Sequence, residues 1–198
     1  MVSDDRLVSH PERLVIERSR DVPIAHTISM ATGAGQRGDP LGHARASLVA
    51  LRRHGTVYAD EAGRTPLFGW RASWPFLAAN QFTVTDAGGP VLAMFAKTVH
   101  KTFRAARINL VTPDGVDAIG RDAGALPGVV KMFAGHRTQV SFRFTVGDAD
   151  VLVVERGWDT AAPYTVECPS FGDGRRLDWR VASAVAIVMD VTLNRSSF

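Results

Sequence analysis

The chain has 198 residues, the length of one domain with a substantial core. Its 45% hydrophobic and 22% charged content excludes a disordered or fibrous class. The net charge of +3 comes from arginines scattered in pairs (only Lys97, Lys101 and Lys131 are lysines), which argues against nucleic acid as a partner.

The N-terminal "MVSDDRLVSHPERLV" is polar and acidic, with no apolar stretch of signal-peptide length, so a cytoplasmic location is the expectation. The first motif is "SMATGAGQRGDPLGHARASLVALRRHGTVYADEAG". Gly33, Gly35 and Gly38 match G-x-G-x-x-G, a strand is predicted before them over Ile24–Met30, and a helix after them over His43–Arg53. Asp60 lies about 20 residues on, where a dinucleotide fingerprint places the acid that binds ribose. Against this, Pro40 and Gly42 sit where the phosphate-binding helix should already be running. Nothing beyond Asp60 alternates strand with helix, as a parallel sheet requires. A nucleotide-binding enzyme using Gly33, Gly35, Gly38 and Asp60 is therefore the alternative reading. The simpler one is a Gly-rich loop before a short helix, within an N-terminal segment of residues 1–42.

From Thr56 a different pattern repeats: a β-rich run, an Asp/Gly turn, and a second run. The turns fall at Asp60–Gly63, Asp86–Gly89, Asp114–Gly115 and Gly147–Asp150. Aspartate bonds its own turn backbone and glycine accepts positive φ, so each unit reads as a hairpin. Alternation in Phe82/Val84 and in Phe142/Phe144/Val146 gives each strand one buried face. Trp70, Trp74 and Phe76 fit barrel core or strand-end packing. Between two hairpins lies "KTVHKTFRAARINL", in which Lys97, Lys101, Arg104 and Arg107 alternate with apolar residues and form the best candidate surface for anionic head groups.

Cys168 is the only cysteine, which excludes an intrachain disulfide and a cysteine-based zinc site. The six histidines show no H-x-x-x-H spacing, no G-x-S-x-G is present, and no loop matches an EF-hand. Neither a cofactor nor a metal is expected.

The chain closes on "DWRVASAVAIVMDVTLNRSSF". Val181 to Leu193 spans thirteen residues, about 20 Å as a helix, against the ~30 Å hydrocarbon core of a bilayer. Asp190 within it makes a transmembrane segment less favourable still. β-Branched residues favour a strand, but the length and the alanines favour a helix capped by Asp178. Its apolar residues cover every side, so it must be buried all round. Hairpins closing into a barrel would supply the container. Val185 and Val188 are then expected in the core, and Asp190 is expected to meet an arginine from a strand or to sit at the barrel mouth.

The series of F-x-V-x-D-x-x-G-x-x-L-like hairpins, best seen in "FTVTDAGGPVL", followed by the apolar "VASAVAIVMDV", resembles the tubby-like C-terminal barrel superfamily, which includes the LURP-one-related proteins and the phospholipid scramblases. The resemblance covers roughly Val57 to Arg195. It implies a mainly β fold: a closed antiparallel barrel of about twelve strands enclosing a hydrophobic C-terminal helix, here assigned to residues 43–198. Scramblases carry an acidic calcium-binding stretch beside that helix. Here the region is "ECPSFGDGRRLDW", so the resemblance does not extend to calcium-triggered scrambling. It implies a non-enzymatic binding module for an anionic lipid or phosphoinositide, or for a protein partner, at a site peripheral to the membrane.

Overall fold

The computed structural model describes residues 11–19, 25–32, 36–47, 54–73, 80–98, 107–123, 140–157 and 162–193. Twelve strands form one closed barrel: β1 (Arg13–Arg18), β2 (Ala25–Ala31), β3 (Arg37–Ser47), β4 (His54–Tyr58), β5 (Pro66–Ala72), β6 (Asn80–Asp86), β7 (Val91–Thr98), β8 (Arg107–Val111), β9 (Asp117–Asp122), β10 (Val140–Val146), β11 (Ala149–Arg156) and β12 (Tyr164–Glu167). Each strand runs antiparallel to its neighbours in sequence, and β1 closes on β12 from Arg13↔Glu167 to Ile16↔Tyr164. An Arg13–Glu167 ion pair spans that seam. The expected architecture is the one observed.

Closure leaves no strand edge exposed. The tight turns gather at one end, the base. Asp60 shows why the turn residues are aspartate and glycine: its carboxylate accepts the N–H of Arg64 at 3.1 Å and of Thr65 at 2.8 Å, and Gly63 takes φ +76°. On the inner face two glycines make room for rings on the facing strand. A Cβ on Gly55 would lie 2.1 Å from Trp70, and one on Gly120 would lie 2.5 Å from Phe144.

The helix α1 (Trp179–Leu193) enters at the base and runs through the barrel toward the opposite end, the mouth. Asp178 caps it, accepting the N–H of Arg180 at 2.8 Å. At the base the Trp179 ring meets Phe68 edge-on at 5.6 Å. Every residue from Val181 to Asp190 is buried, with Val185 at 0% and Val188 at 4% exposure. Ala182, Ala184 and Ala186 keep this stretch of the helix narrow, while Val181, Val185 and Ile187 fill the space toward the strands.

Two expectations need correction. The barrel includes β1, β2 and β3, so residues 13–18, 25–31 and 37–42 are barrel strand rather than part of a separate N-terminal segment of residues 1–42. The helix predicted over His43–Arg53 is not formed over its first part, because His43–Ser47 are strand, paired with His54–Tyr58. Pro40, which lacks a donor, is accommodated beside an irregularity in the β2–β3 register.

Candidate functional site

Of the four cations proposed for an anionic surface, Lys97 and Arg107 lie in described strands; Lys101 and Arg104 fall outside the described residues. Lys97 stands opposite Ile108 and Thr98 opposite Arg107, so Lys97 and Arg107 are one position out of step. What the barrel places beside Arg107 is Arg121, its direct partner on β9, and then Arg143 on β10, the direct partner of Arg121. All three arginines are exposed on the outer wall. Arg143 is held by Asp150 at 2.8 Å, whereas Arg107 and Arg121 form no ion pair among the described residues. Like charges directly opposite across two strands destabilise a sheet, so this pair favours any anion that comes between them. The hairpin is centred on Asp114, and that symmetry alone pairs Arg107 with Arg121; counting outward from the turn would have found it.

A second charged group is internal. Near the mouth, the Asp190 carboxylate meets His26 Nε2 at 2.9 Å, accepts from Tyr164 Oη at 3.2 Å and from Arg156 Nη1 at 3.3 Å. The Arg156 guanidinium also lies 5.0 Å over the Tyr164 ring. Burial works against the charge on Asp190, but the His26 hydrogen bond and the nearby His26, Arg18 and Arg156 charges outweigh it and hold the carboxyl below its ordinary value. Burial, then the Asp190 charge, push the Tyr164 hydroxyl upward. A carboxylate in the last turn of a helix opposes the macrodipole, so these strand residues are what make it tolerable. The expected strand arginine is Arg156; His26 was not foreseen. The cluster ties the far end of α1 to β2, β11 and β12.

The glycine motif does not assemble a nucleotide site from its described parts. Gly33 and Gly35 fall outside the described residues. Gly38 lies in β3, where a Cβ would come 2.8 Å from the Met30 carbonyl oxygen, so close strand pairing accounts for the glycine. Asp60 spends its carboxylate on the β4–β5 turn, and the Arg64 N–H is the main cause holding it below its usual value. Trp70 is core, as expected; Trp74 and Phe76 fall outside the described residues.

Two clefts open near the base. One of about 590 Å³ runs along Val91, Thr112, Asp114, Arg175 and Val181, but Arg175 is bound to Asp173 at 2.8 Å. The other, of about 670 Å³, is bordered by the Arg13–Glu167 pair. Cys168 is fully buried, and burial pushes its thiol up to about 12. It should therefore resist a disulfide reagent such as DTNB at pH 8 in the native state and react fully only in denaturant; prompt native labelling would show that the base opens.

No helix among the described residues is long and apolar enough to cross a membrane. No family model, curated protein or solved structure matches the chain.

Proposed function

We propose that this barrel is a non-enzymatic binding module whose outer wall takes an anionic lipid surface, the reading that the tubby-like resemblance also implies. The observation that carries it is the Arg107–Arg121 pair, two exposed guanidinium groups in direct register without an ion-pair partner among the described residues. Phosphate oxygens suit guanidinium forks because each fork donates two parallel hydrogen bonds. The open, convex strand surface presents its charges side by side, as a plane of head groups meets them, rather than enclosing one small molecule.

The test is co-sedimentation with phosphatidylcholine vesicles, with and without phosphatidylserine. Each basic residue near an anionic surface contributes about 1 kcal/mol. R107Q/R121Q should therefore weaken binding roughly thirtyfold, and binding should fall as salt is raised. The same variant should melt no lower than the wild type, since it removes a repulsion. Absence of binding to any anionic vesicle would refute the lipid reading and leave a protein partner as the ligand.

A further inference from the structure

We infer that the barrel meets the bilayer lying on its side, with Met94 and Val111 entering the boundary between head groups and acyl chains. This inference rests on the lipid reading above. Among the described residues, Val91 at 43%, Met94 at 43% and Val111 at 42% are the only large hydrophobic residues left exposed. They are neighbours on β7 and β8, and Met94 stands directly opposite Val111.

Their surroundings select the occupant. The cross-strand row through them reads Arg71, Thr83, Met94, Val111, Asp117. Arg107 is four residues above Val111 on β8, about 13 Å at 3.3 Å per residue, and Arg121 is beside it. Arg71, like Arg107 and Arg121, is exposed without an ion pair among the described residues. The wall between carries exposed Asn109 with half-buried Ala96 and Ile119. The apolar pair is thus bordered by cations on two sides, and Asp117 limits it on the β9 side.

A protein partner fits this surface poorly. The closed barrel offers no edge for strand addition, and a stable protein interface buries about 800 Å² on each side, far more than three half-exposed side chains on a convex wall provide. A bilayer needs only a shallow apolar foothold with cations at its rim, because arginine stems lie along apolar surface while their heads reach phosphate.

The test uses the full chain, phosphatidylcholine vesicles containing phosphatidylserine, and the variants M94Q/V111Q and R107Q/R121Q. Both positions of the first variant are exposed, so far-UV circular dichroism and melting should match the wild type. Its affinity should fall roughly tenfold, with the salt dependence unchanged, whereas the arginine variant should show a weaker salt dependence than the wild type. If M94Q/V111Q binds like the wild type while the arginine variant does not, the side-lying contact is wrong and the lipid reading survives. If the wild type binds no anionic vesicle, the lipid reading itself falls, and this inference with it. If sedimentation velocity shows a dimer that M94Q/V111Q abolishes, the patch belongs to a second copy of the chain instead.

Discussion

Replacing Asp190 with alanine should cost roughly 3–5 kcal/mol of stability, the range for breaking a buried ion pair by removing one partner. The variant would leave Arg156, 4% exposed, and His26, 2% exposed, without the carboxylate they contact, and would take the acceptor from Tyr164 Oη. In a chain of this size each kcal/mol shifts the melting temperature by about 2–4 °C, so a drop near 10 °C is expected, read by urea or thermal unfolding. The pH dependence has a definite sign. The folded carboxyl lies below the unfolded value of 3.8, so its contribution is complete above that value and is lost as pH falls through the folded one. The part of the difference between wild type and D190A that the Asp190 charge supplies should therefore shrink as pH falls below about 4. A difference of the same size at pH 3 as at pH 7 would show that the carboxylate's charge is not what holds the helix.

The second large effect is steric. Gly120→Ala would set a methyl 2.5 Å from the fully buried Phe144 ring, and Gly55→Ala would set one 2.1 Å from Trp70. Neither distance is compatible with van der Waals packing, so the rings must move within a closed barrel that already holds α1. Overpacking of this kind costs about 1–3 kcal/mol and occasionally more. The residue opposite should decide the outcome: in a double-mutant cycle, Phe144→Leu should recover part of the Gly120→Ala loss, because the two side chains compete for one space. Gly157→Ala, with no atom within 4 Å of the added methyl, should be close to neutral. Because Gly→Ala lowers the entropy of the unfolded chain and by itself favours folding, equal losses at Gly157 and Gly120 would show that the ring contact does not decide them.

The hairpins were legible because their chemistry is local. Asp60 bonds the next amides in its own turn, Gly63, Gly89, Gly115 and Gly147 take positive φ, and alternation follows from the pleat. The C-terminal run was legible for another reason: an all-round apolar helix too short for a bilayer has only its own protein to cover it. What sequence reasoning missed is the part in which local signals mislead or distance hides the partner. β3 contains Pro40 and Gly42, poor strand formers, yet a Cβ on Gly42 would sit 2.7 Å from a Val57 methyl, so the glycine serves close strand packing. His26 lies 164 positions from Asp190, and no spacing rule connects them. Arg121 and Arg143 fall outside the one segment whose charge density stood out, and only the strand register brings them to Arg107.

The central structural claim, that the apolar C-terminal segment is the core of its own barrel and is held at the mouth by Asp190, is tested most directly by hydrogen exchange resolved to peptides. Amides from Val181 to Asp190 should exchange only through global unfolding. D190A should accelerate them in step with its loss of stability. Exchange of these amides at rates typical of exposed peptide, in a chain whose strand amides remain protected, would contradict a helix enclosed by the strands.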